Sequence, residues 1–220
     1  MHITIKNLST IEQQIQSKIA HLNLKDYNPE IIAISKTFKM THIKHLIDHG
    51  HLHFGENKVQ EALEKWPEIK SEKKKINLHM VGKLQSNKVK FALKIFDYIH
   101  SVDSIKLAKK ISTEQKKYEK KPKIFIQVNI GNEVQKSGIS YDHFKEFYDL
   151  CKTNDLDVIG TMCIPPDDNK SDIYFAKLKK LNDNNNLKEI SMGMSNDYLN
   201  AIEHQSTFLR IGSKIFGERD

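Results

Sequence analysis

A chain of 220 residues with 38% hydrophobic content and a net charge of +7 has room for one large core and needs neither a disulfide nor a metal to staple it. No apolar run approaches the ~18 residues of a membrane span, and the N-terminus, Met1-His2-Ile3-Thr4-Ile5-Lys6, lacks a basic-then-apolar leader pattern, so a cytoplasmic protein with no membrane partner is expected. Of the 35 basic residues only two, Arg210 and Arg219, are arginines. The lysines are scattered without interleaved aromatics, whereas nucleic-acid readers favour the arginine fork, so no nucleic-acid partner is expected. Cys151 and Cys163 show no CxxC spacing and no metal-ligand neighbours. They read as idle thiols, with no metal site.

In chain order, the first 22 residues read as a helix with Ile11, Ile15, Ile19 and Leu22 on one face. Short apolar runs then recur: Ile31–Ser35, Leu52–Gly55, Leu78–Val81, Tyr98–Val102, Lys123–Val128, Val158–Met162, Ile190–Met192 and Phe208–Ile211. Helical spacing fills the intervals, as in Ile43/Leu46/Ile47, Val59/Ala62/Leu63/Trp66, Val89/Ala92/Leu93/Phe96 and Phe175/Leu178/Leu181. Strict alternation implies parallel strands joined by crossover helices. Eight such units predict an α/β fold, a single (β/α)8 TIM-type barrel domain over residues 1–220 with an extra N-terminal helix. An open doubly wound sheet would alternate in the same way, although no GxGxxG follows the first strand.

Barrels of this kind place their chemistry just after the strands. The candidates there are Lys36-Thr37, Glu56-Asn57, Gly82 through Lys88, Asp103, Asn129, Met162-Cys163, Gly193-Met194-Ser195 and Gly212-Ser213. Lys36 directly follows an apolar strand, where desolvation would favour the neutral amine, the form that attacks an aldehyde. Small residues in Ser191–Ser195 and Arg210–Ser213 would let backbone N–H groups and hydroxyls approach a phosphate. A strand-one lysine and two such loops together describe an aldehyde-bearing phosphate ester held at both ends. Arg210 stands out because the chain otherwise uses lysine.

Several longer segments are more specific. They are Ile32–Thr37, Phe54–Glu61, His79–Lys88, Gln127–Asn129 with Lys136–Gly138, Gly160–Pro165, Ser191–Ser195 and Arg210–Gly212. In these the chain resembles, over nearly its whole length, the YggS/PROSC family of pyridoxal phosphate homeostasis proteins. The resemblance implies a fold-type III barrel like the N-terminal domain of alanine racemase, carrying pyridoxal 5′-phosphate (PLP) as a Schiff base on Lys36. It implies phosphate contacts from Ser195, Gly212 and Ser213, Arg210 facing the pyridine nitrogen, and Asn57 lining the ring pocket. It also implies a role in vitamin B6 homeostasis, with apo PLP-dependent enzymes as partners. A monomer is expected. Leu78, Gln205, Tyr198 and Leu199 depart from the family's usual residues, but none is a proposed cofactor contact.

Racemisation needs acid/base groups on both faces of the substrate's α-carbon. In the barrel racemases one of them comes from an added β domain of a partner chain. Only seven residues follow Ser213 here, so the expectation is a carrier with no catalytic residue. The alternative is an amino-acid racemase or decarboxylase on the same barrel.

Overall fold

The computed structural model describes residues 2–218, so Met1 of the expected first helix and Arg219 lie outside the described residues. Helix α1 (Ile3–His21) begins where the His2 ring accepts the Thr4 N–H, and its buried stripe includes Leu8, Ile11, Ile15 and Ile19. Leu22 caps the C-terminal end and packs, partly buried, against the core.

The strands are β1 (Glu30–Ile34), β2 (His53–Glu56), β3 (Asn77–Met80), β4 (Tyr98–Val102), β5 (Lys123–Asn129), β6 (Ile139–Ser140), β7 (Asp157–Cys163), β8 (Glu189–Ser191) and β9 (Phe208–Ile211). All pairings are parallel. The order β4-β3-β2-β1-β9-β8-β7-β5 closes on itself through β4–β5, giving the eight-stranded barrel. The two-residue β6 was not expected. It pairs with Val128 and Asn129, above the last β4–β5 pair at Val102 and Ile126, and is too short to carry a periodic signal.

The helices outside the barrel are α2 (Met40–Asp48), α3 (Val59–Lys65), α4 (Pro67–Glu72), α5 (Val89–Ile95), α6 (Ile105–Tyr118), α7 (Phe144–Thr153), α8 (Ser171–Asn184), α9 (Tyr198–Glu203) and α10 (Ser213–Phe216). Helix α4 follows α3 at once because Pro67 occupies its first turn, where a missing N–H costs nothing. Among the described residues no helix is long and apolar enough to cross a membrane.

The strands read as unbroken apolar runs because both their faces are covered. Ile32 and Ile34 pack inside the barrel with Tyr98, Phe125, Met162 and Phe208, while Ile31 and Ala33 join the outer core. Gly55 has the inward phase of β2. A Cβ there would lie 2.5 Å from Ile34 Cδ1 and 3.0 Å from Ile32 Cγ2, so only glycine lets β2 close against the β1 side chains. Outside, α1 packs on α9 and α10, and Asn7 Nδ2 donates to Ile215 O at 3.0 Å. The added helix therefore braces the two short helices that follow the glycine-bearing loops.

Candidate functional site

Period-two alternation carries the inward phase of β1 from Ile32 and Ile34 on to Lys36, just past the strand end. Lys36 is half-buried there. The inward phase of β2 runs through Gly55 to Asn57, whose Oδ1 is buried without a hydrogen-bond partner. Gly82 packs against Asn57 so closely that a Cβ would lie 2.3 Å from its carbonyl oxygen. On β9 the inward residues are Phe208 and Arg210, and Gly212 follows in the same phase.

Three contacts draw these positions to one rim. Ile32 pairs with Arg210 and Ala33 with Ile211, and a Cβ on Gly212 would sit 3.4 Å from the Ile34 carbonyl oxygen. Phe38, two residues beyond Lys36, stacks on Phe216 of α10 at 4.9 Å. The Arg210 N–H donates to Gly193 O at 2.9 Å, which ties the Ser195 loop to β9. Gly193 itself has φ +86 and packs on Ala201 and Leu209 with no space for a side chain. The Asp197 carboxylate closes this loop by accepting the Met194 N–H at 2.6 Å. Burial raises the Asp197 pKa, against that hydrogen bond and the Arg210 charge. The two candidate hydroxyls differ: Ser195 is buried, whereas Ser213 at the start of α10 is exposed. Beside β2 and β3 a cavity of ≈ 370 Å³ is lined by Asn57, Val59, Met80, Lys83, Gln85 and Lys88.

Arg210 is 5% exposed, and its partners are a hydroxyl and a carbonyl, not a carboxylate. NH1 donates to Ser191 Oγ at 2.7 Å and NH2 to Cys163 O at 2.8 Å. Burial pulls its pKa below the ordinary guanidinium value, opposed by Cys163 and Asp197; it stays charged all the same. Burial also pushes the Cys163 thiol up to about 12, so both cysteines, Cys151 likewise raised to about 12 by burial, are inert at neutral pH.

A hydrogen-bonded chain continues from Ser191 across the barrel interior. Ser191 Oγ contacts His100 Nδ1, His100 Nε2 contacts His79 Nδ1, and His79 Nε2 contacts His53 Nδ1, each at 2.9 Å. His79 and His100 are fully buried, and burial first, then neighbouring positive groups, lowers both pKa values well below 6.5. Both rings are neutral, so each carries one N–H. Arginine can only donate, which makes Ser191 Oγ an acceptor and turns its own hydrogen to His100 Nδ1. His100 and His79 then both donate from Nε2, and the chain runs in one direction toward His53.

On the other side of the rim, Glu56 at the end of β2 is wholly buried. Its Oε1 accepts from Ser35 Oγ at 2.8 Å and Trp66 Nε1 at 3.0 Å. Burial raises its pKa, opposed by the adjacent Lys65 ammonium. The histidine chain was missed in the sequence, whereas Glu56 stood among the strand-end candidates without its burial being foreseen. The available signal was polar residues in the inward phase of apolar runs, His79 in Leu78–Val81 and His100 in Tyr98–Val102.

Residues 7–220 match the family described as alanine racemase, N-terminal domain, the class of protein that this barrel and its mouth define. The pyridoxal phosphate homeostasis protein of Aquifex aeolicus is 34% identical over 97% of both chains. That of Pasteurella multocida is 33% identical over 98% of this chain and 97% of its own. The structure of PipY from Synechococcus elongatus PCC7942 with PLP bound superimposes with a TM-score of 0.78 at 30% identity, over 92% of this chain and 100% of that one. Alanine racemase of Clostridium difficile shares the fold, with a TM-score of 0.69 at 16% identity, over 94% of this chain and 56% of that one. The chain belongs to the alanine racemase N-terminal-domain family, within its group of pyridoxal phosphate homeostasis proteins.

Proposed function

We propose that this chain binds pyridoxal 5′-phosphate at the barrel mouth, covalently through Lys36, and acts as a cytoplasmic, monomeric carrier in homeostasis of the cofactor. The observation that carries this reading is the inward phase shared by Lys36 and the buried Arg210 on paired strands. Asn57 supports it with an unpartnered buried acceptor, and Gly212 with a rim position free of a side chain. The homeostasis proteins it matches and the PLP-bound PipY structure support the choice of ligand.

When bound, the cofactor supplies an aldehyde that condenses with a neutral amine, with loss of water. The chain's own residues divide the remaining work. Lys36 supplies the amine just past a strand end, where it is half-buried. Ser195, Gly212 and Ser213 hold the phosphate, and Asn57 lines the ring pocket. Arg210 places a permanent positive charge at the ring nitrogen. A second positive charge there is opposed, which restrains the ring as an electron sink. The carrier passes its cargo to apo enzymes that need it and turns over no amino acid.

The test is an absorption spectrum before and after borohydride, with peptide mapping of the reduced adduct. The adduct should map to Lys36, and Lys36→Ala should lose the visible band while staying folded. An adduct on another lysine would overturn the attachment. Loaded protein mixed with an apo enzyme should activate it, and mixed with L- or D-amino acids should leave them unchanged. Stereospecific turnover at about 1 per second or faster would overturn the carrier reading.

A further inference from the structure

The chain makes an unusual turn immediately after Lys36. Thr37 has φ +71, in the left-handed region, where the Cβ of an L-residue crowds the backbone and a β-branched side chain fits worst. The other non-glycine residues found at positive φ are Asn23, Asp26, Glu119, Asn132, Asp155, Asn169, Asn186 and Gln205. Among the described residues Thr37 is therefore the one β-branched exception. Such a conformation persists only when its surroundings over-determine it.

The surroundings do so through two side chains one helical turn apart on α3. Glu61 Oε1 accepts the Thr37 N–H at 2.6 Å. Lys65 Nζ pairs with the same Glu61 oxygen at 2.9 Å and with the buried Glu56 at 2.7 Å. The same ammonium donates to the carbonyls of Ser35 at 2.9 Å and Phe38 at 3.2 Å, one on each side of the Lys36–Thr37 unit. Glu56 in turn accepts from Ser35 Oγ. Residues 35, 37 and 38 are thus each tied to one charged cluster, which fixes the backbone direction at the residue between them. Lys65 is only 13% exposed, so its own bonds to Ser35, Phe38 and Glu61 are partly shielded from competing water, whereas the Thr37 N–H to Glu61 bond lies at the surface. Burial works to raise the Glu61 pKa, but the bonds from Lys65 and the Thr37 N–H outweigh it and hold the carboxylate charged.

We propose that Glu61 and Lys65 are positioning residues that hold Thr37 in its left-handed conformation and thereby aim Lys36 into the barrel mouth. This rests on Lys36 being the cofactor lysine. The strained turn redirects the chain from β1 toward α2 within the five residues 35–39, so that Lys36 keeps the inward phase after the strand has ended. Without the clamp Thr37 relaxes toward negative φ, and the Lys36 Cα–Cβ direction swings with it.

The experiment compares wild type, Glu61→Ala and the double variant Glu61→Ala/Thr37→Gly. Capture of PLP is followed by absorbance, and the Thr37 φ in cofactor-free protein is read from its amide–Hα coupling by NMR. Glu61→Ala should weaken capture roughly tenfold, the weight of one charge-assisted hydrogen bond, and should move the Thr37 coupling out of the left-handed range. Thr37→Gly in that background should restore most of the capture, because glycine takes positive φ without a clamp. Glu61→Gln, which keeps an acceptor for the Thr37 N–H, should fall between wild type and Glu61→Ala and serves if the alanine variant does not fold. An unchanged coupling in Glu61→Ala, or capture that glycine fails to restore, would overturn the clamp. If wild type captures no cofactor while the coupling still shifts, it is the cofactor reading that fails and not the clamp.

Discussion

Acid should destabilise this protein earlier than its carboxylates alone allow, because His79 and His100 are held neutral inside the barrel. Both are fully buried. Burial lowers both pKa values first, with His100, His53, Lys70 and His51 adding for His79 and Arg210 for His100. In the unfolded chain each ring takes up a proton near pH 6.5. Below that pH the unfolded state binds more protons than the fold, so stability drops as pH falls. One unit below, each histidine costs about 1.4 kcal/mol and the pair roughly 3 kcal/mol, a large share of the ~5–15 kcal/mol that holds a typical domain. Glu56, Asp103 and Asp197, whose pKa values burial raises, act the other way. They bind protons more readily in the fold and gain stability toward acid. Comparing wild type with His79→Phe/His100→Phe removes that contribution, since the carboxylates are common to both. The assay is the urea midpoint at about pH 7.5 and about pH 5.5, read from fluorescence of the single buried tryptophan, Trp66. With a urea slope of about 2 kcal/mol per molar, wild type should lose roughly 1.5 M more midpoint than the variant across that range. Equal losses would refute the neutral, buried assignment of both rings.

Ser195→Ala and Ser213→Ala should each weaken PLP binding without removing covalent attachment, by roughly ten- to a hundredfold for a hydrogen bond worth ~1.5–3 kcal/mol. The buried Ser195 should show the larger effect and the exposed Ser213 the smaller; unchanged affinity in both would move the phosphate site elsewhere. With nitrogen-labelled cofactor, NMR should find the pyridine nitrogen unprotonated beside Arg210, and a protonated ring would contradict the role given to that residue.

The eight barrel strands were legible because each is a short apolar run that ends in polar or glycine residues, and their boundaries move by only a residue or two in the structure. Leu52 falls just before β2 and Val81 just after β3, although each still shares a backbone hydrogen bond across the β2–β3 ladder. Lys36 was legible for the same reason, as the first charge after an uninterrupted strand. Arg210 was legible by contrast, one arginine among many lysines. What could not be read is what depends on which strands become neighbours. His79 and His100 lie 21 residues apart, and nothing local says that their rings meet. Glu61 and Lys65 look like an ordinary i,i+4 pair of a solvated helix. Only the placement of α3 over the end of β1 turns them toward Thr37. Nor does the sequence separate the buried Ser195 from the exposed Ser213, since both stand within two residues of a glycine in a loop after a strand.

The histidine chain also explains how the barrel keeps Arg210 without a carboxylate beside it. An unpaired buried cation is costly, and a directly paired Asp or Glu would cancel the field that reaches the mouth. Here every hydrogen along Ser191, His100 and His79 points away from the guanidinium, so each of these groups turns its acceptor atom toward the charge. Aligned bonds of this kind polarise one another in a low-dielectric interior. At the far end Glu30 Oε2 lies 3.8 Å from His53 Nε2, on the rim opposite the mouth. The compensation for Arg210 is thus shared between the Asp197 charge and oriented dipoles that lead to a carboxylate at the barrel floor. A protonated imidazole anywhere in the line would reverse one of these dipoles and add a second buried cation. The neutrality of His79 and His100 therefore keeps a second cation out of the interior that already holds Arg210.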